Sequence, residues 1–501
     1  MAVCPYVAYI QCYLSLYSSF YSCVPILYLP YFVSLLFDSR LFLESKSVFI
    51  ACAHTRGVRH NPLYKLRSSP ADFIVEEILP NGIIRESGGY AVYRLKKEGI
   101  DTFGAIRICA KHLGVNARDV GYCGLKDRHA TTIQYISVPV EKTRGVPLEV
   151  ADRNLSFELA GYLEKPLELG LHEGNRFEIT LRELDQKAFD LLGFGVNALC
   201  VFPYVPNYFD SQRFGAIRAT GGFVAADILK GDYASALRSL LTEYHRKDRR
   251  EVKEVKRFLA DHWGDWALCE KFLSGKKARS AGALGVMRTL AAGGDFLSAL
   301  DKFDREELLM NLLAFQSFLW NEYLKRALKE TFGKKRLRRV EYAAGELYFP
   351  FDGGDVKPLE PLLEVSAYLP SMPHFPVTDT PEGRFYEEKL CAMGFTGLSS
   401  FAAFERIGIK VGDARRPLFT KVSELCITKS GKDAQSGRGE KSGARMQERR
   451  GEKVMWAAQE TQDIKMINAV QSPVRPSHFA TLSFTLPPGA YATNVIKAVL
   501  G

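Results

Sequence analysis

A carboxylate set in a glycine-rich turn directly before a strand is the feature that most restricts how this chain folds. Asp127 lies between Lys126 and Arg128, two glycines precede it, and a β-branched run ending at Val138 predicts a strand. Neighbouring cations favour the charged form of a carboxyl group, so Asp127 is expected to stay ionised. Such a carboxylate suits a nucleophile or base that acts on a polyanionic substrate. From the spacing alone, a charged surface turn is the alternative interpretation.

The same turn resembles the catalytic motif of the TruD family of tRNA pseudouridine synthases, whose pattern is approximately Gly-Leu-Lys-Asp-x-x-Ala-Val-Thr-x-Gln. Thr131 stands where the family usually has valine, and a strand tolerates this exchange of one β-branched residue for another. The matching residues are Gly124, Leu125, Lys126, Asp127, Ala130, Thr132 and Gln134.

Four further blocks resemble family signatures, and they follow one another in the family's order. They are Ser69–Glu77, Gly170–Phe177, Val205–Gly215 and Leu486–Val495. One short motif is weak evidence, whereas several in a fixed order are specific. The resemblance covers most of the chain, from position 61 to position 500.

The composition is that of a globular protein, and its basic charge favours a polyanionic partner over none, although many proteins are mildly basic. The chain has 501 residues, of which 47% are hydrophobic and 25% charged, which predicts two or three domains. The net charge of +10 favours RNA or an acidic membrane surface as partner. The ten cysteines are scattered without metal-site spacing, and this indicates a reducing compartment without a disulfide framework. A cytoplasmic location is therefore expected. Cys123, near Asp127, is interpreted as a small packing residue.

The first 57 residues differ from the rest. Residues 1–37 contain no Lys, Arg, Asp or Glu, and Tyr9–Phe37 is long enough to cross a bilayer. Pro25 and Pro30 would each remove a helix hydrogen bond, which argues against a membrane-spanning helix. A signal peptide fits poorly because the positive n-region is missing. We interpret residues 1–57 as an apolar extension outside the fold, with a membrane anchor as the alternative.

The resemblance implies an α+β fold, in which a pseudouridine-synthase-type catalytic domain with a mixed or antiparallel sheet is interrupted by a large inserted α/β domain. We expect the catalytic domain at 58–215 and 455–501, and the inserted domain at 216–454. Low complexity and few apolar residues predict a disordered loop at 430–453.

Residue patterns predict individual elements within these domains. Predicted strands are Leu63–Ile78, Tyr90–Lys96, Arg176–Leu184 and His478–Leu486, and a β-rich portion is expected from Arg339 to Ile427. Predicted helices are Thr102–Leu113, Lys187–Leu199, Ala225–Tyr244, Arg249–Trp263, Phe296–Phe303, Glu306–Leu328 and one that begins near Ala490. Asp101 or Thr102 is the expected N-cap of the first of these helices.

The resemblance also implies a reaction. Pseudouridine forms when the bond from N1 of uracil to C1′ of the ribose is replaced by a bond from C5, which requires no cofactor and no metal. Asp127 is the candidate catalytic residue, either by attack on C1′ or by removal of the C2′ proton, and both routes stay open. The implied substrate is tRNA, with uridine 13 of the D-arm as the expected target of a monomeric isomerase.

The family also suggests which residues meet the extruded base. Phe73, Asn207, Phe209 and Tyr491 are expected to line the base pocket, and Lys126 to contact a phosphate or orient Asp127. An aromatic side chain in a strand is ordinarily core packing, so this is the alternative for Phe73 and Phe209.

Arginines elsewhere suggest further contacts with RNA. Arg213 is expected to hold a phosphate or to form a structural salt bridge, and Arg415–Arg416 to contact the RNA backbone or brace the interior. The basic run 246–250 is interpreted as a solvated helix face or part of the electrostatic surface. Two other classes compete with the isomerase: a non-catalytic RNA-binding protein of the same fold and a membrane-associated protein.

Overall fold

The computed structural model describes residues 64–500 except 144, 216, 219–220, 246–247, 276–280, 351–356, 372–378, 411–413 and 434–476. The predicted extension at 1–57 lies outside the described residues, as does most of the predicted loop at 430–453.

A large mixed sheet positions the site. Within the described residues it contains nine strands in the order β14-β15-β7-β1-β4-β2-β6-β5, with β3 paired to β4. Among the described strand pairs of this sheet only β1–β4 is parallel, so the predicted mixed or antiparallel sheet is confirmed. The strands are β1 (Phe73–Ile78), β2 (Tyr90–Glu98), β3 (Gly121–Tyr122), β4 (Thr131–Pro139), β5 (Glu149–Asp152), β6 (Leu155–Leu163), β7 (Gly174–Leu184), β14 (Ser423–Lys432) and β15 (His478–Leu486).

The parallel pairing of β1 with β4 decides which distant residues meet. Ile74 is opposite Thr131 and Glu76 is opposite Ile133. Because parallel strands begin at the same sheet edge, the segment before β1 lies beside the turn that precedes β4. The turn with Asp127 therefore meets the residues just upstream of Phe73.

Two helices of the first half confirm local predictions. Helix α1 (Thr102–Leu113) begins at Asp101, whose side chain accepts the Gly104 N–H at 2.7 Å. It ends at Gly114, whose φ of 71° is a left-handed conformation that glycine adopts without strain. Helix α2 (Gln186–Val201) packs against β7, β14 and β15.

The middle of the chain is mainly helical around its own apolar core. The long helix α9 (Arg305–Phe332) contains the predicted helix Glu306–Leu328 and buries Leu312, Leu319 and Trp320. The predicted helix Ala225–Tyr244 is instead two helices, α3 and α4, separated by Gly231 with φ 76°. The helices are α3 (Val224–Leu229), α4 (Tyr233–Thr242), α5 (Arg250–Asp261), α6 (Trp266–Ser274), α7 (Ala281–Ala291), α8 (Phe296–Leu300), α9 (Arg305–Phe332), α10 (Glu360–Leu363), α11 (Pro381–Ala392) and α12 (Ala402–Arg406).

The portion predicted to be β-rich contains both strands and helices, because α11 and α12 supply buried aromatic residues to the helical core. Among the described residues, its short strands form two two-stranded sheets, β9–β10 and β11–β12, and β13 pairs with β8, which comes before the helical region. The strands are β8 (Tyr204–Pro206), β9 (Leu337–Tyr342), β10 (Gly345–Pro350), β11 (Ser366–Tyr368), β12 (Arg415–Pro417) and β13 (Phe419–Lys421).

The chain is back in the large sheet earlier than the expected boundary at residue 455. Strand β14 pairs with β15 from Ser423 to Lys432. The first three positions of the predicted loop 430–453 are therefore strand, because their backbone completes the sheet edge. After β15, helix α13 (Ala492–Leu500) packs on α2.

Among the described helices, none combines the length and the apolar character that a bilayer crossing requires.

Candidate functional site

The Asp127 loop, residues 123–130, is held tightly by its surroundings. A Cβ atom at Gly121, just before the loop, would lie 2.5 Å from Ser137 Oγ and 2.6 Å from the Leu167 carbonyl oxygen. At Gly124 it would meet Lys126 Nζ at 3.3 Å. Gly121 and Gly124 therefore let the turn approach its neighbours, and Cys123 between them is buried, as predicted.

Three groups hold the Asp127 carboxylate. Arg67 Nη1 lies 2.8 Å from Oδ2, and Gln212 Nε2 donates to the same oxygen at 2.7 Å. The His129 backbone N–H donates to Oδ1 at 3.0 Å. The side chain remains 21% exposed, so the carboxylate is fixed in orientation and still open to a substrate.

These contacts determine the charge of Asp127. Partial burial would raise the pKa of a carboxyl group, but the hydrogen bond from the His129 N–H and the charge and hydrogen bond of Arg67 act in the opposite direction. The Gln212 hydrogen bond adds to them, and the pKa of Asp127 is lowered as a result. The carboxylate is therefore ionised at neutral pH, as a base or nucleophile requires.

Arg67 is a site residue that the sequence analysis missed. Its backbone is in the left-handed region at φ 58°, which is uncommon for a residue other than glycine. Its guanidinium lies 4.1 Å from the centroid of the Phe73 ring, and that ring is buried against Phe177. Phe73 thus contacts the site through Arg67, and the ring supports the cation that pairs with Asp127.

Lys126 has a partner other than the phosphate or Asp127 that the sequence predicted. Its Nζ lies 2.6 Å from Glu77 Oε1, and the two side chains are only 6% and 0% exposed. The other carboxylate oxygen of Glu77 accepts the Tyr135 N–H at 3.0 Å, and the Lys126 N–H bonds to Thr102 Oγ1 at 2.9 Å. This buried ion pair fixes the loop beside Asp127.

Lys97 is a second buried lysine under the loop. Its Nζ donates to the carbonyl oxygens of Ile100 at 2.9 Å, Asp127 at 3.3 Å and Lys126 at 3.5 Å. Burial lowers the pKa of Lys97 to about 8. Its hydrogen bonds hold the backbone on which the Asp127 side chain stands.

The Val205–Gly215 block reaches the Asp127 loop through Gln212. The block is tied to the C-terminal helix α13, because Lys497 Nζ pairs with the buried Asp210 carboxylate. Asn494 Nδ2 donates to the Tyr208 carbonyl oxygen at 2.7 Å. These contacts join the Leu486–Val495 block and helix α13 to the Val205–Gly215 block, which carries Gln212.

Asn207, Phe209 and Tyr491 form a cluster around a buried arginine, Arg416. Arg416 Nη2 lies 2.5 Å from Asn207 Oδ1, and Nε donates to the Asn207 carbonyl oxygen at 2.9 Å. Its guanidinium lies 4.1 Å from the centroid of the Phe209 ring and 5.9 Å from that of Tyr491. Burial lowers the pKa of Arg416 to about 10.

This cluster revises two expectations. Arg416 is 9% exposed and braces the interior, which was the alternative to its predicted contact with the RNA backbone. The Asn207 amide bonds to Arg416 and to the Pro417 carbonyl oxygen, 3.0 Å from Nδ2, which leaves fewer of its groups for the base that it was expected to meet. An amide has two donors, and the second Nδ2–H of Asn207 bonds to no acceptor in the part of the chain that the structure describes.

The predicted residues therefore fall into two groups. Asp127, Lys126 and Phe73 belong to the sheet edge with Arg67, whereas Asn207, Phe209 and Tyr491 belong to the Arg416 cluster. The rings of Phe209 and Tyr491 meet edge to face with centroids 6.1 Å apart. Gln212, which hydrogen-bonds Asp127 from the same block as Phe209, connects the groups, and its place inside that block was the signal that could have found it.

Within the described part of the chain, no three His, Cys, Asp or Glu side chains gather as metal ligands.

Comparisons with known proteins give a consistent result. The family model of tRNA pseudouridine synthase D (TruD) matches residues 60–342. A probable tRNA pseudouridine synthase D 1 from Methanococcus maripaludis is 39% identical over 285 residues, 57% of this chain and 72% of that protein. A tRNA pseudouridine synthase D from Aquifex aeolicus is 29% identical over 455 residues, 86% of this chain and 97% of that protein.

A solved structure is similar in fold. The crystal structure of a putative tRNA pseudouridine synthase D (TruD) from Methanosarcina mazei superposes with a TM-score of 0.58 at 22% identity. The match covers 88% of this chain and 95% of that one. The predicted α+β fold is thereby confirmed.

Proposed function

The chain belongs to the TruD family, and from this premise we propose that it is an isomerase that converts a uridine of tRNA to pseudouridine. The observation that carries the proposal is the ionised Asp127, held open to solvent between Arg67 and Gln212. A fixed carboxylate at neutral pH is the group that chemistry at the ribose requires.

The reaction balances without any added group. The bond from N1 to C1′ breaks, the base turns, and C5 bonds to C1′; the proton leaves C5 and N1 gains one. Asp127 acts at the sugar in one of two ways: it attacks C1′ to give an acylal, or it takes the C2′ proton to give a glycal. Arg67 keeps the carboxylate ionised and oriented in either route.

The base pocket belongs to the Arg416 cluster. An enzyme that acts on a base extrudes it and stacks it against aromatic or apolar side chains. Phe209 and Tyr491 supply such rings, and the remaining Asn207 Nδ2–H suits a uracil carbonyl. By the family resemblance, the target is uridine 13 of the D-arm.

The test is to incubate the purified protein with an unmodified tRNA transcript and to map pseudouridine. We expect one modified uridine with the wild type and none with Asp127→Ala, whereas tRNA binding persists. Asp119→Ala is the matched control, because it removes an aspartate that pairs with Lys142 on the surface, at 3.0 Å, and should leave the modification intact. A wild type that binds tRNA and forms no pseudouridine would instead support a non-catalytic RNA-binding protein.

A further inference from the structure

Four large apolar side chains are exposed on and around the Asp127 loop. Leu125, inside the loop, is 62% exposed, and Phe103, Leu169 and Leu171 on adjoining segments are 50%, 68% and 37% exposed. Both adjoining segments contact the loop. Thr102, next to Phe103, accepts the Lys126 N–H at 2.9 Å through its hydroxyl oxygen. Gly170, between the two leucines, donates its N–H to the Cys123 carbonyl oxygen at 2.8 Å. We call these four side chains the apolar rim.

Single exposed apolar residues are ordinary on a protein surface, but groups of them mark contacts with a partner. The apolar rim lies on the loop that carries Asp127 and on two segments that contact this loop. Cations lie beside it: Arg67 at the carboxylate, and the exposed Arg128, whose Nε donates to the Gly99 carbonyl oxygen at 3.1 Å. Apolar side chains among cations fit a partner that has flat bases and phosphates, and this is RNA.

Leu125 is exposed because its neighbours are anchored. On one side Cys123 is 1% exposed. On the other, Lys126 is fixed by its backbone bond to Thr102 and by its ion pair with Glu77. The leucine therefore projects from a rigid support, and little conformational entropy is lost when it meets a ligand.

We propose that Leu125 is an apolar wedge that enters the RNA stack beside the extruded uridine, with the rest of the apolar rim against the neighbouring bases. This rests on the proposed function. Apolar side chains inserted between base steps unstack them, and a base must leave its stack to react. Because Leu125 is two residues from Asp127, one rigid loop carries both the side chain that fills the gap in the stack and the carboxylate that meets the ribose.

The test compares Leu125→Ala with Leu148→Ala, since Leu148 is 76% exposed and lies before the edge strand β5. We expect Leu125→Ala to slow single-turnover pseudouridine formation about 10- to 100-fold, as lost help with unstacking predicts, and Leu148→Ala to change nothing. A tRNA carrying 2-aminopurine beside the target should brighten on binding the wild type and stay dim with Leu125→Ala. Leu125→Met, which keeps an apolar side chain of similar length, should retain the rate.

A comparison of two RNA substrates distinguishes a role of Leu125 in unstacking from a role in the structure of the protein. On a short single-stranded RNA with the same uridine unpaired, Leu125→Ala should approach the wild-type rate because little stack remains to open. An unimpaired Leu125→Ala on tRNA, or an equal loss on both RNAs, would overturn the wedge. If the wild type itself forms no pseudouridine, the proposed function fails instead.

Discussion

Two buried cations, one in each of the two groups of site residues, are stabilised in different ways. Lys126 lies 2.6 Å from the buried Glu77 carboxylate, so its charge is neutralised by a single partner. Arg416 has no carboxylate within ion-pair distance among the residues that the structure describes, and it bonds instead to the oxygens of Asn207 and of Gly489, the latter at 3.1 Å.

The difference indicates that the two cations have different structural roles. A neutralised pair between β1 and the Asp127 loop fixes the position of one turn, and with it the carboxylate. A guanidinium with directional bonds joins separate chain segments, and this sets the rings of Phe209 and Tyr491 against each other. We infer that the first region depends on charge balance and the second on hydrogen-bond geometry.

The largest effect is expected from Glu77→Gln, which leaves a buried ammonium without its counter-charge. The free energy of unfolding in urea should fall by about 3 kcal/mol, since removal of one member of a buried pair is strongly destabilising. The double variant Glu77→Gln/Lys126→Met should recover most of this loss. Glu254→Gln, which breaks the exposed pair with Arg250, should cost at most about 0.5 kcal/mol. An equal fall in the free energy of unfolding for Glu77→Gln and Glu254→Gln would contradict the inference that charge balance stabilises the first region.

Compared with Glu77→Gln, Arg416→Met should reduce the free energy of unfolding less and the rate of pseudouridine formation more. Several hydrogen bonds are lost, but the cost of burying a charge disappears, so a net loss of about 1–2 kcal/mol is expected. The rate should fall because Asn207 and the two rings lose their arrangement. Arg416→Lys keeps the charge without the planar fork, so it should not rescue the rate. A lysine variant with wild-type turnover would show that charge alone matters there.

The smallest effect is a shift along the pH axis in Arg67→Met. Since the contacts of Asp127 lower its pKa in the folded protein, its ionised form contributes stability above the unfolded pKa, and this is lost as pH falls through the lowered folded value. Removing Arg67 raises that folded pKa, so the acid limb of the kcat/KM profile should move to higher pH. The control Arg85→Met, at an exposed pair with Glu164, should leave the limb in place. An unmoved limb in Arg67→Met would mean that this guanidinium does not tune the carboxylate.

Local signals in the sequence were sufficient to predict two elements beside the site. The strand after Asp127 and helix α1 with its Asp101 cap were predicted because β-branched runs, apolar spacing and capping residues act over a few positions. The family resemblance suggested one pocket lined by Phe73, Asn207, Phe209 and Tyr491, whereas the structure groups only the last three, around Arg416. Phe73 packs against Arg67 instead, and no local pattern contains these contacts across the chain.

The contacts that define the site could not be predicted from spacing. Arg67 reaches Asp127 across 60 positions because β1 and β4 pair in parallel. Glu77 meets Lys126 across 49 positions, and an isolated lysine in a turn gives no sign that it will be buried. Likewise, Arg416 sits in a basic dipeptide that suggests a surface, and only packing against Phe209 makes it internal.

The central claim is that the ionised Asp127 carboxylate acts on the ribose, and the most direct test is tritium release from tRNA labelled at C5 of uridine in a single turnover. Asp127→Asn preserves the shape of the side chain and removes its charge. We predict stoichiometric release with the wild type and none with Asp127→Asn at equal tRNA occupancy. Release by the asparagine variant at the wild-type rate would contradict the claim.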